Sequence, residues 1–363
     1  MVGGVAFVPM VPDAAWRVAQ QVARHLGLGE VRDLDAVNGG LLNRGLVATT
    51  PGGRWFLKGS RYPDPAPIIR EHEVAAIARR AGIPSPTPIA ARDGATATWA
   101  GNRWWATYPY IDGHHMARSD VGEATAAIFG ETLGRIHAAL DDTPADLVRR
   151  LPSKGAPSPA ATLDRIRAFE VDIARRPVAT AFDGHALTSL AYRRSVIEGE
   201  SPSRWPGEDL PTGVIHGDFH VGNVRFAVGH PPVVNAVLDW ELAAIAPRAL
   251  DVARALDLTI DLQVDFDEGA PRVRAFARGY GQHASLGTHA AARLPHLYRV
   301  ARAHSLWVYE EHYRQGEAPT DAIAIDDLTT LQWWLRERDA IASTMVEAFA
   351  VRATRRIIST RDH

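Results

Sequence analysis

Cysteine is absent from the 363 residues, and with it go disulfides, thiolate nucleophiles and cysteine zinc sites. Lysine is nearly absent: of 40 basic residues all but Lys58 and Lys154 are arginine. A GC-rich coding bias explains the skew, so each surviving lysine needs its own account, because an ammonium is a compact charge and a guanidinium a planar fork. Lys154, in a proline-rich stretch, reads as a solvated side chain. There is no excess of one charge either, since 40 basic against 42 acidic residues leave −2. That balance argues against nucleic acid or an anionic membrane as an obligate partner. No apolar run approaches the length of a bilayer span. The opening MVGGVAFVPMVPDAAW lacks a basic leader and is broken by Pro9 and Pro12, unlike a signal peptide. The expectation is a cytoplasmic protein.

What is present is ordinary for a globular chain, 46% hydrophobic and 23% charged, and long enough for two lobes. Residues 1–112 read as the first lobe. Asp13 is placed to cap a helix running to about Gly27. Residues 31–59 read as paired antiparallel strands turning at Pro51-Gly52-Gly53, and ATATWAG and RWWATYPYI as two more strands about Gly101. Between them residues 68–81 have helical spacing, closed by Gly82. Residues 113–363 read as a mainly helical second lobe, with helices at 121–140, 161–175, 185–198, 249–262, 271–284, 289–314 and 321–357. Residues 143–160 read as a surface connection, and 213–240 as two short strands around polar residues. The fold class expected is therefore α+β.

The chemistry concentrates in that exception. His216-Gly217-Asp218-Phe219-His220-Val221-Gly222-Asn223 lies between apolar anchors, and a later apolar run delivers Asp239-Trp240-Glu241. Asp and Asn side chains are hard oxygen ligands, suited to Mg²⁺ rather than zinc. An Asp and an Asn five residues apart, followed by a second Asp, is the spacing of a phosphoryl-transfer loop with Asp218 as base and Asn223 and Asp239 as metal ligands. Such chemistry also needs a strand lysine for the nucleotide phosphates and a helical acid to orient it. Lys58 in RWFLKG meets the first need; Glu71, sharing a helix face with Ile68, Ala75 and Ala78, meets the second, with Glu73 as fallback. Ahead of them Asn38-Gly39-Gly40-Leu41-Leu42-Asn43 is able to bend over phosphates through backbone N–H groups.

These residues resemble the aminoglycoside phosphotransferase and choline kinase superfamily, the small-molecule branch of the protein-kinase-like fold. GGLLNR at 39–44, Lys58, Glu71 with Gly82-Ile83-Pro84, the Leu133-Gly134-Arg135-Ile136-His137 helix, HGDFHVGN at 216–223 and Asp239-Trp240-Glu241 follow that family's order. The resemblance implies a bilobal enzyme that uses ATP and Mg²⁺ to phosphorylate a hydroxyl of a small molecule. It implies that Asp218 is the catalytic base, that Lys58, oriented by Glu71, binds the α- and β-phosphates, and that Gly39, Gly40 and Asn43 belong to the phosphate loop. His216, His220 and Asp251 would brace the catalytic loop, and Tyr108, Tyr110 and Ile111 would form the hinge that receives adenine. Gly217 and Trp240-Glu241 stand where regulated protein kinases carry Arg and Phe-Gly, so a protein substrate is not expected.

The acceptor should lie against the C-terminal helices, where acidic side chains hold cationic sugars in the aminoglycoside enzymes. Glu310, Glu311 and Trp307 are the residues named for it, alongside Asp261, Asp265, Asp267, Glu268, Asp326, Asp327, Trp333 and Trp334. An antibiotic is the first expectation and a metabolite (amino alcohol, sugar or homoserine-like) the second. A metal-dependent phosphoesterase using His216, Asp218, His220 and Asp239 is a third, and it leaves Lys58 and Glu71 without a role.

Overall fold

The computed structural model of the chain describes residues 12–37, 44–199, 205–262, 266–316 and 320–359. Helix α1 (Asp13–His25) is followed by strands β1 (Asp33–Val37), β2 (Arg44–Thr50) and β3 (Gly53–Gly59), helix α2 (Ala66–Arg80), and strands β4 (Thr98–Ala100) and β5 (Arg103–Pro109). The strands form one antiparallel sheet in the order β1-β2-β3-β5-β4. Alternation along β3 decides what each side of the sheet does: Leu57 is buried among Ala19, Val22 and Leu46, while Lys58 points the other way, towards α2. Asp13 is the first helical residue rather than a cap; Pro12 occupies that position, and the helix ends two residues before Gly27.

The rest is mainly helical: α3 (Glu123–Leu140), α4 (Ala145–Arg150), α5 (Pro159–Ala174), α6 (Ala181–Gly199), then, after the short strands described below, α7 (Arg248–Thr259), α8 (Phe266–Tyr280), α9 (Thr288–Ala303), α10 (Trp307–Glu310), α11 (Asp321–Arg336) and α12 (Arg338–Ser359). The expected 143–160 connection contains α4. Helices α3 and α8 touch backbone to backbone, because a Cβ on Gly130 would lie 2.0 Å from the carbonyl oxygen of Phe276. Phe129 beside it is fully buried and edges onto Phe219 and Phe226. Among the described residues no helix is long and apolar enough to cross a membrane.

Two helices expected to be continuous are broken. The 289–314 helix stops at Ala303 because the buried Arg193 of α6 donates to the carbonyls of Arg302, Ala303 (3.3 Å) and Ser305 (2.9 Å), supplying donors that the helix end lacks. The 321–357 helix breaks at Glu337. The 213–240 region holds three strands, β6 (Thr212–Ile215), β7 (Val224–Phe226) and β8 (Val234–Val237), and a fourth, β9 (Ala244–Pro247), lies beyond it. Strand β6 pairs with β9 and β7 with β8, so the segments before, within and after the polar loop are held as two small antiparallel ribbons.

Candidate active site

Lys58 is enclosed by carboxylates. Its Nζ lies 2.9 and 3.0 Å from the two oxygens of Glu71, 2.7 Å from Asp239 Oδ1 and 3.4 Å from Glu241 Oε2. Of the two acids considered for it, Glu71 makes the contact, while Glu73 turns outward to Arg150. Burial works to lower the lysine's pKa, but Glu71, Asp239 and Glu241 together hold it well above its ordinary value. Burial pushes Glu71 up to about 7 against the pull of Lys58, with Asp239 and Glu241 adding repulsion. Asp239 sits at φ +59°, a left-handed conformation that a non-glycine residue adopts at a cost and that recurs at functional sites.

The polar loop hangs from one buried acid. Asp251, in the first turn of α7, accepts the N–H groups of His216 (3.0 Å) and Gly217 (2.9 Å) and a bond from His137 Nε2 (3.0 Å). His137 thus ties α3 to the loop. Only glycine fits at 217: its φ is +81°, and a Cβ there would lie 2.1 Å from the Leu242 carbonyl oxygen. His216 is fully buried, its Nε2 3.1 Å from the Leu238 carbonyl and its Nδ1 accepting the Asp218 N–H at 3.2 Å. Burial lowers its pKa, and with both nitrogens engaged the ring is no metal ligand, which weakens a phosphoesterase site. His220 Nδ1 accepts the N–H of Gly222 at 3.0 Å.

Asp218 emerges from this loop with Asn223 beside it. Asn223 Nδ2 donates to the Asp218 carbonyl (2.8 Å) and to its Oδ2 (3.2 Å), which leaves the amide oxygen as a ligand atom. That oxygen and the carboxylate of Asp239 are the hard donor set that a divalent ion takes. The carboxylates of Glu71, Asp239 and Glu241 also lie within ligand range of one another, but Lys58 stands among them. Arg254 binds the other side of Asp218, through Nε (2.9 Å) and Nη2, both to Oδ1. Burial alone would raise Asp218; Arg254 and His220 instead hold it far below the usual carboxylate range.

Other expected residues fall as follows. Gly39, Gly40, Asn43 and Asp265 lie outside the described residues. Tyr108 is buried with its hydroxyl on His72 Nε2 (2.9 Å), and Tyr110 donates its N–H to the Arg54 carbonyl (2.9 Å); Ile111 follows where the chain has left the sheet. Glu310 is paired with Arg165 (2.8 Å) and Arg314 (3.6 Å), and Glu311 with Arg61 (3.7 Å). Trp307 is half-buried against a core cluster that includes α5 and α6 residues, whereas Trp333 and Trp334 are buried and offer no open stacking surface.

Sequence reasoning missed four participants. His72 is buried between Thr96 and Tyr108, where burial, helped by the charge of Lys58, lowers it to about 4. Glu241 reaches Lys58. Lys154, read as solvated, is half buried with its Nζ 3.3 Å from the Leu242 carbonyl. Arg254 carried one signal: three residues after Asp251 on a helix, it faces the same way.

Comparison with known proteins agrees with this geometry. The pattern of the phosphotransferase enzyme family matches residues 33–295. The homoserine kinase of Acidiphilium cryptum (strain JF-5) is 28% identical over 296 residues, covering 80% of this chain and 83% of that one. In fold, the chain is similar to a spectinomycin phosphotransferase solved with ADP and spectinomycin (TM-score 0.58, 15% identity, 91% of this chain and 98% of that one). It is also similar to a microcompartment-associated aminopropanol kinase (TM-score 0.55, 16% identity, 91% and 99%). The architecture is thus that of the protein-kinase-like small-molecule kinases.

Proposed function

The chain belongs to the phosphotransferase enzyme family, and we propose that this small-molecule kinase moves the γ-phosphate of ATP to the hydroxyl of a metabolite of the hydroxy amino acid class. The observation that carries the kinase chemistry is the meeting of three chain segments at one point: Lys58 of β3 and Glu71 of α2 close on Asp239, beyond β8. Lys58 would bind the α- and β-phosphates, with Glu71 holding its ammonium in place. Asn223 and Asp239 would hold the divalent ion, Mg²⁺, which when bound neutralises charge on the phosphate oxygens.

Asp218 would accept the hydrogen bond of the acceptor hydroxyl and take its proton as the oxygen forms its bond to the γ-phosphorus and the bond to ADP breaks. Held so far below the usual carboxylate range, it is always ionised and a weak base. That suits a loose transition state, in which orientation counts for more than early proton removal.

Two observations favour a metabolite over a cationic antibiotic. The sequence relative reported above, 28% identical over 80% of this chain, is a homoserine kinase. Three of the acids expected to grip a cationic sugar are paired instead: Glu310 and Glu311 with arginines, as above, and Asp327 with Arg193 and Arg302. An ATP-consumption screen with Mg²⁺ over homoserine, other hydroxy amino acids, amino alcohols, sugars and aminoglycosides tests this. Turnover of homoserine or a near analogue is expected; turnover of aminoglycosides alone overturns the substrate class and leaves the kinase chemistry standing.

A further inference from the structure

Of the two lysines in the chain, the nucleotide half of the site accounts for only Lys58. Lys154 arrives from the segment between α4 and α5, its own N–H bonded to the Ile245 carbonyl at 2.8 Å. Its Nζ lies 3.3 Å from the Leu242 carbonyl oxygen and only 3.1 Å from where a Cβ on Gly217 would stand. It is therefore beside the backbone of the residue preceding Asp218. Arg254 meets Asp218 from α7, with both contacting nitrogens on the single oxygen Oδ1.

We propose that Arg254, with Lys154 next to it, is the seat of the acceptor's carboxylate, beside the base that takes the acceptor's hydroxyl proton. This rests on the hydroxy amino acid assignment above.

Three features support it. The first is accessibility: the Arg254 side chain is 36% exposed and that of Asp218 18%, so the pair is partly open to solvent. The second is charge balance. Among the described residues two cations stand about one accessible carboxylate, because the other acids that act on them are buried and engaged: Asp251 by His137 and the loop N–H groups, and Asp257 by Arg302 and the Tyr298 hydroxyl. Burial and the nearness of Arg254 both work against the charge on Lys154, a repulsion that an anion between them relieves. The third is shape. A guanidinium held by one carboxylate oxygen offers its remaining edge to a second carboxylate in the bidentate manner arginine favours. A hydroxyl and a carboxylate joined by a short carbon chain match a base and a cation in direct contact.

The test uses a matched pair of acceptors, homoserine and 3-aminopropan-1-ol, which is homoserine without its carboxylate, and the full-length chain with ATP and Mg²⁺. The wild type should prefer homoserine in kcat/KM, with most of the preference in KM. Arg254→Met should lower that preference about 10- to 100-fold, as expected for losing a charged hydrogen-bond partner, and Arg254→Lys should restore part of it. Lys154→Met, at a half-buried position, should lower it less and stands in if Arg254→Met does not fold. Wild type that prefers homoserine, with both variants losing the two acceptors in equal proportion, overturns the carboxylate seat alone. Wild type that phosphorylates no hydroxy acid overturns both the seat and the substrate class.

Discussion

The two halves of the site carry opposite charge patterns. On the nucleotide side one ammonium, Lys58, is surrounded by Glu71, Asp239 and Glu241. On the acceptor side one accessible carboxylate, Asp218, is met by Arg254 with Lys154 close by. Each half is built for what it lacks. On the function proposed above, a divalent cation arriving with the nucleotide would relieve the crowded carboxylates, and an anionic acceptor would relieve the crowded cations. The consequences for ionisation also differ: burial works to raise both acids, and Glu71 ends pushed up, with Asp239 and Glu241 adding repulsion, whereas Arg254 and His220 hold Asp218 down.

The largest effect should come from the acceptor side. Asp218→Asn removes the base and the partner of Arg254, and kcat should fall by about 100- to 10,000-fold with the fold retained by circular dichroism. A rate above a tenth of wild type would take the base role from Asp218.

On the nucleotide side, Lys58→Met leaves three carboxylates about a vanished charge. Breaking a buried pair in this way costs about 3–5 kcal/mol, read by urea unfolding at neutral pH, and the loss should shrink in acid as the carboxylates take up protons. A loss independent of pH would mean the crowding is not electrostatic.

A smaller effect, with its sign fixed, belongs to Glu71. Its pKa in the folded chain is raised from 4.5 to about 7, so its stabilising contribution is complete below 4.5 and disappears as pH rises through 7. Wild type should therefore lose about 1–3 kcal/mol relative to Glu71→Gln across that window, measured as paired denaturation curves. A constant difference would show Lys58 keeping Glu71 ionised throughout.

Smallest of all is Glu73→Ala. Glu73 and Arg150 are both well exposed, and surface pairs of this kind contribute little; neither kcat/KM nor the melting midpoint should move measurably. A loss of nucleotide affinity would mean that Glu73, and not Glu71, orients Lys58.

What was legible in the chain follows from how locally each feature is encoded. The β-rich first part, the helix behind Lys58 and the ordered series from Lys58 to Asp239 could be read because strand alternation, helical spacing and the Asp218-to-Asn223 interval are properties of short segments. The break after Ala303 could not, since the donor that ends α9 is Arg193, on another helix. Gly130 gave no warning either; its need for a bare Cα comes from Phe276 of α8. The pairing of two acids named for a cationic substrate was hidden for the same reason. Glu310 and Glu311 look free in sequence, and only folding brings Arg165 and Arg61 to them.

By itself the sequence determined the fold class and the kinds of atom that gather at the phosphates, because those depend on side-chain chemistry and on spacing along a strand, a turn or a helix. Tertiary structure alone decided which charges surround Asp218. Arg254 lies 36 residues from Asp218, and Lys154 lies 88 from the Leu242 carbonyl it contacts. Electrostatic surroundings depend on distance in space, which a linear chain does not record. The near absence of lysine marked both Lys58 and Lys154 for explanation, but only the folded chain shows that Lys58 meets Glu71 and Asp239 and that Lys154 lies beside Gly217, next to Asp218.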